Sequence, residues 1–430
     1  MNNDLINFAK KLWPLNRSII GDGTRKTLQL IKQVCPNLKI LNYKSGTNVF
    51  DWTIPKEWVI HDAFILKPNN QKICDFNKNN LHVVGYSQGV NKLVSLRNLK
   101  KRLYSLPNQP DAIPYLTSYY KKTWGFCISE NEKKKLTKGK YRVCINSRFI
   151  NGRMSIGEIY IKGKSNKEIF LSTYVCHPSM ANNELSGPVL TTYLSKWILN
   201  KKKTKYSYRI VFLPETIGSI TYLKHKYKKL KKNVIAGYNI SCVGDDRTVS
   251  FLPSRKSNSL SDSAALKVLE SEDIKYKTYT WNERGSDERQ YCHPGIDLPI
   301  ASVMRSKYGT YPEYHTSLDT IGRVMNKKGI SKSLKIYKSI INLIEKTTFP
   351  ESTVLCEPHL SKRNAYPTLN RQQKKNTGRD LLNVLTWCDG HNPKYEIAKK
   401  LKISEKKLNN YLLKLKKMKL ISHNETCKIV

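Results

Sequence analysis

The rhythm of apolar and polar positions changes three times along the chain. Between residues 4 and 35, Leu28, Leu30, Ile31 and Val34 recur at helical spacing. Pro14 and the turn Ile20-Gly21-Asp22-Gly23 divide this stretch into two short predicted helices. From Leu38 the pattern shortens: Asn48 to Ile54, Ala63 to Leu66 and Leu81 to Tyr86 are β-rich runs separated by Pro, Asn and Gly, predicting an all-β unit to about residue 125. Between Tyr141 and Phe349 strands and helices alternate. Ile169 to Val175 and Tyr208 to Leu213 read as buried strands, each followed by a helix, Leu190 to Leu199 and Ile220 to Leu230. The expected organisation is an α/β domain from residues 1–45 and 125–350, an inserted β domain at 46–124 and a linker at 351–375, a polar stretch that carries Pro358 and Pro367. Residues 376–430 then form a separate unit. Helices are predicted at Asp380 to Trp387, Tyr395 to Leu401 and Ser404 to Met418, the last opened by a Ser N-cap, with a wing strand starting near Leu420-Ile421-Ser422. This is a winged helix-turn-helix pattern.

Composition changes the picture little. With 430 residues, 39% of them hydrophobic, the chain is long enough for two or three folded domains. The 76 Lys+Arg against 33 Asp+Glu give a net charge of +43, but the lysines are spread through nearly every segment, which favours solubility over a dedicated polyanion site. The 10 cysteines form no C-x-x-C pair, and Cys127, Cys144, Cys176 and Cys242 sit in apolar or strand-like runs. The first fifteen residues lack the apolar core of a signal peptide, and no stretch has 18 consecutive apolar residues. A cytoplasmic protein with no membrane contact is the expectation.

Four motifs carry candidate chemistry. Thr173-Tyr174-Val175-Cys176-His177-Pro178 ends a strand at a histidine, where ligands bind in open α/β sheets. Asn183-Glu184-Leu185-Ser186-Gly187 follows within reach, so an imidazole and a carboxylate approach one point. Pro214-Glu215-Thr216 places a second carboxylate directly after a buried strand, as a general base or a ligand. The last two are the loop Arg284-Gly285-Ser286-Asp287-Glu288-Arg289 and Tyr314-His315-Thr316-Ser317-Leu318-Asp319, where an Asp four positions after His315 suits an oriented ligand. Each alone is as ordinary as a core histidine, a helix-start Glu or a solvated turn. Their order, each after a strand of one α/β region, is what joins them.

On these motifs the chain resembles the M28-type zinc aminopeptidases, and more closely the aminopeptidase-like proteins that carry an inserted β domain and a C-terminal winged helix. The closer resemblance extends to Pro14-Leu15-Asn16-Arg17-Ser18, to Asp51-Trp52-Thr53-Ile54-Pro55-Lys56-Glu57-Trp58 and to Ile113-Pro114-Tyr115-Leu116-Thr117-Ser118-Tyr119-Tyr120. It implies a mixed-sheet, zinc-exopeptidase-like α/β sandwich, with genes often found near those of surface polysaccharides. General M28 enzymes bind two zinc ions through a first His, a bridging Asp, a Glu-Glu pair, a later Asp and a late His. By resemblance His177 is the first His and His315 the last. Asn183 occupies the bridging Asp position with Glu184 beside it, Thr216 follows Glu215 where a second Glu is expected, and Ser241 or Cys242 replaces the later Asp.

The resulting expectation is a zinc-dependent hydrolase, aminopeptidase-like, cleaving an N-terminal peptide or related amide bond with a metal-activated water. One zinc, or two, is held by His177, Glu184 and His315, and Glu215 is the catalytic base. Asp287, Glu288, Arg289 and Tyr314 contact substrate. Two alternatives stay open: a metal-dependent amidase or deacylase in surface polysaccharide biosynthesis, and an inactive ligand-sensing regulator that uses its winged helix. The expected partner is a small peptide or amide. Nucleic acid is a secondary candidate, since the third C-terminal helix offers Lys406, Lys407 and Lys414 but few base-reading side chains. Homo-oligomer contacts through the winged helix or β domain are also open.

Overall fold

A computed structural model describes residues 2–363, 365 and 377–424. Its centre is a mixed eight-stranded sheet. In spatial order the strands are Lys39–Lys44, Arg153–Ile161, Ser207–Leu213, Glu168–Tyr174, Val234–Asn239, Ile300–Met304, Ser250–Leu252 and Lys277–Thr278. The 168–174 strand runs parallel to both of its neighbours, and 234–239 is parallel to 300–304. Both faces are covered, which is why these central strands read as unbroken apolar runs. Ile169, Leu171, Ile210, Phe212, Ala236 and Tyr238 pack with helices Ser186–Leu199, Leu260–Ser271 and Lys327–Lys346 and with the N-terminal helices Asn2–Leu12 and Asp22–Val34. Phe170, Val211, Leu213 and Ile300 point the other way, onto helix Ile217–Asn233 and the inserted unit.

The inserted unit is a four-stranded antiparallel sheet in the order Lys72–Ile73, Glu57–Leu66, Lys140–Ile150 and Val90–Ser95, with short helices Leu96–Lys100 and Glu130–Lys134. The expected boundary at residue 124 therefore falls too early, and the unit is not all-β. Lys140–Ile150 alternates exposed and buried positions and pairs along nine residues of Glu57–Leu66, so it belongs to the second sheet, although only a two-residue turn separates it from a strand of the first. Trp58, Ile65, Val143 and Ile145 join the same core as Phe170 and Leu213, so the insert is packed onto the sheet rather than tethered to it.

The C-terminal unit has helices Thr377–Thr386, Lys394–Lys400 and Glu405–Lys417 around its own core of Leu381, Val384, Ile397, Leu408, Leu412 and Leu415. Ser404 caps the third helix, accepting from the Lys407 amide. The wing, Ile421–Asn424, pairs antiparallel with Phe349–Ser352, so the winged fold borrows a strand that begins before the expected linker. Residues 364 and 366–375 of that linker, and 376 and 425–430 of the terminal unit, lie outside the described residues. Cys127, Cys176 and Cys242 are buried and Cys144 is half-buried. Among the described residues no helix is long and apolar enough to cross a membrane.

Candidate functional site

The carboxyl ends of the 168–174 and 207–213 strands, with the loops before and after the 300–304 strand, bring the four motifs to one place. His177 follows the first strand by three residues. Glu184 lies in a single π turn, Ala181–Leu185, that opens into helix 186–199. That helix starts against the sheet because Gly187 allows it to: a Cβ there would sit 2.6 Å from the Ile240 carbonyl oxygen. Glu215 follows the second strand, and the next residue, Thr216, turns the chain into helix 217–233 with a left-handed φ of 64°. His315 (φ 56°) and Cys242 (φ 51°) are left-handed too. Such conformations cost energy in residues with a Cβ and tend to collect at functional sites.

The two histidines come together, with ring centroids 5.6 Å apart. Tyr115, from the inserted unit, stands 5.1 Å from each, and Tyr314 stacks on His315 at 3.9 Å. The Tyr115 amide donates to the His315 carbonyl, and Ile113 and Ser317 exchange two hydrogen bonds, so the insert is latched onto the His315 loop.

Their partners differ. Nδ1 of His177 is 3.0 Å from Glu184 Oε2, and its Nε2 is 3.7 Å from Glu215 Oε2. Burial opposes the charged form of His177, while Cys176 and Glu184 favour it, and the balance lies well above the usual histidine range. The buried Nε2 of His315 has no hydrogen-bond partner. Burial, helped by the neighbouring His177, pushes His315 down to about 3 and keeps its imidazole neutral. Glu215 accepts from Ser286 Oγ through Oε1 at 2.7 Å and keeps 22% of its side chain accessible. Burial pushes its carboxyl up against the pull of His177, Ser286 and Arg289.

Three expected contacts do not form as anticipated. Glu184 is at the back of His177, its Oε1 3.3 Å from Arg17 Nε, with both side chains fully buried. It faces Nδ1, away from the edge that His177 turns toward Glu215. Glu288 is also withdrawn: it accepts from the Gly285 and Ser286 amides, Tyr308 OH and Asn239 Nδ2, and so builds the loop rather than facing a ligand. Asp319 does not orient His315; it caps the π turn by accepting from the Asn182 and Asn183 amides. Asp287 bonds the Thr216 amide and Ser219 through Oδ1 and leaves Oδ2 without a partner. Burial and the charge of Glu215 push Asp287 up to about 8. Arg289 reaches Thr216 Oγ1 at 2.6 Å. Sequence reasoning missed Arg17 and Tyr115 as parts of this site; their only signal was membership of two long motifs.

The donor types gathered here are ones that a divalent cation takes. Two adjacent imidazoles, one with an orphaned ring nitrogen, and a facing carboxylate suit a single ion. Asn183, Thr216 and Ser241 leave a second ion without carboxylates, and the buried Asn183 Oδ1 and Ser241 Oγ have no hydrogen-bond partner. Among the described residues no three His, Cys, Asp or Glu side chains are gathered closely enough to form a ready-made cation site.

Residues 6–347 match the family described as a domain of unknown function, DUF4910, and residues 348–423 match a winged helix-turn-helix family. A relative from Clostridium acetobutylicum, whose name joins polysaccharide biosynthesis to an aminopeptidase-like domain, is 45% identical over 364 residues, 84% of this chain and 83% of the relative. A crystal structure of a candidate peptidase from Clostridium acetobutylicum superposes with TM-score 0.83 at 40% identity, over 98% of this chain and 96% of that one. A zinc aminopeptidase from Bacillus subtilis shares the fold at 13% identity, TM-score 0.58, over 79% of this chain and 94% of its own. The chain thus belongs to the DUF4910 family, with an aminopeptidase-like domain of the M28 fold followed by a winged helix.

Proposed function

We propose that this chain is a zinc-dependent hydrolase that cleaves an N-terminal peptide bond or a closely related amide. The observation that carries this reading is the unpartnered, buried Nε2 of His315 beside His177 and Glu215. A buried polar atom without a partner costs on the order of 1–3 kcal/mol, a penalty that a bound cation relieves. His177 and His315 would hold the ion, with Glu215 as the carboxylate beside it. When bound, zinc supplies Lewis acidity at the scissile carbonyl and makes water a nucleophile near neutral pH.

The remaining work falls to the chain. Ser286 pins one oxygen of Glu215 and leaves Oε2 to take the proton of the attacking water. Burial shifts that carboxyl upward, the direction that makes it a stronger base. Asp287, whose Oδ2 has no hydrogen-bond partner, is the candidate to receive the substrate amine, and Arg289 is bound to Thr216. Tyr314, stacked on His315, and Tyr115, edge-on to it, are the candidates to contact the substrate beside that ring.

Zinc-loaded protein is expected to release free amino acids from aminoacyl arylamides, and chelation is expected to stop it. A second reading is favoured by the name of the Clostridium acetobutylicum relative: an amidase or deacylase acting on a precursor of a surface polysaccharide. Activity confined to glycan amides would select it, and no zinc-dependent turnover of either class would remove both.

A further inference from the structure

His177 is gripped at two points by a buried ion pair that the reaction scheme above does not use. Arg17 lies just beyond the first helix, in the Pro14–Ser18 motif. Its Nε donates to the His177 carbonyl at 2.9 Å and lies 3.3 Å from Glu184 Oε1, while Nη1 donates to the Leu12 carbonyl at 2.6 Å. Glu184 Oε2 then meets Nδ1 of the same histidine. Arg17 therefore fixes the backbone of His177 directly and its ring through Glu184. No carboxylate follows His177 locally, where Pro178 and Ser179 stand, so orientation of the ring has to come from elsewhere in the chain.

A buried ion pair is a poor way to gain stability. An apolar pair of the same volume usually does as well, because two charges must first leave water. It is a good way to fix a ring, since the nitrogen that donates to a carboxylate decides which nitrogen is left to bind.

We infer that Arg17 and Glu184 are positioning residues, which hold Nδ1 of His177 toward Glu184 and so present Nε2 to the zinc, making the N-terminal segment part of the active site. This rests on the zinc reading above.

The test uses full-length protein carrying R17Q, E184Q or both, with unfolding temperature measured without metal and zinc affinity measured by competition with a chelator. Each single variant strands one buried charge and should lower the unfolding temperature. The double variant removes both charges and should recover most of it, yet zinc should remain bound about 10- to 100-fold more weakly, the usual effect of losing a ligand's own partner. R17K, which keeps the charge and loses the planar fork, should also weaken zinc while unfolding near the wild-type temperature. It decides the question should the other variants fail to fold. Zinc affinity that is unchanged, or that recovers in step with stability, overturns the positioning role. A wild-type chain that takes up no zinc overturns this inference and the zinc reading together, whereas zinc lost in H315A but unaffected by R17Q/E184Q overturns the positioning role alone.

Discussion

Two imidazoles 5.6 Å apart are treated in opposite ways by this fold. His177 has a partner at each nitrogen and a third on its carbonyl, all from buried or half-buried groups. His315 has a stacked tyrosine, a left-handed backbone and no partner on Nε2. One ring is aimed before any ligand arrives; the other carries an unmet demand. The difference teaches that one ring is oriented by buried partners from distant parts of the chain, while the other keeps a buried nitrogen with none.

The contrast can be broken at several points. The largest effect is expected at Glu215: Glu215→Gln should retain the fold and the zinc but lower turnover by about 10²- to 10⁴-fold, the range for a lost general base. Initial rates and metal content of the same preparation check it. Loss of zinc in this variant would make Glu215 a ligand instead.

Next comes the asymmetry in stability without metal. Arg17→Gln strands Glu184 in the interior and should cost about 3–5 kcal/mol in urea unfolding. His315→Gln breaks no hydrogen bond of the ring and should stay within about 1.5 kcal/mol of wild type. Equal costs would mean that the two rings are held alike.

A further effect is expected in pH. Burial keeps His315 neutral down to about 3, well below its ordinary value, so its contribution to stability is present above about pH 6.5 and is lost as pH falls toward 3. The metal-free protein should therefore lose stability on acidification by up to about 1.4 kcal/mol per pH unit relative to His315→Gln. Parallel curves for the two proteins would contradict a neutral, buried ring.

The same contrast explains what could be read from sequence. The strands leading to His177 and Glu215 were legible because a parallel sheet covered on both faces demands unbroken apolar runs. His315 was legible from its motif. The place of Glu184 was not, since its partner Arg17 lies far away in sequence and no local pattern predicts a buried ion pair. The insert boundary failed for a similar reason: Lys140–Ile150 adjoins a strand of the main sheet in sequence and pairs with the other sheet in space. The wing was foreseen, but not its pairing with Phe349–Ser352, because register across a long connection leaves no local trace.

Zinc content of the purified full-length protein tests the central claim most directly. The account predicts close to one zinc per chain in the wild type and loss of that zinc in His177→Ala and in His315→Ala. No bound metal, two ions per chain, or zinc retained after either substitution would contradict it.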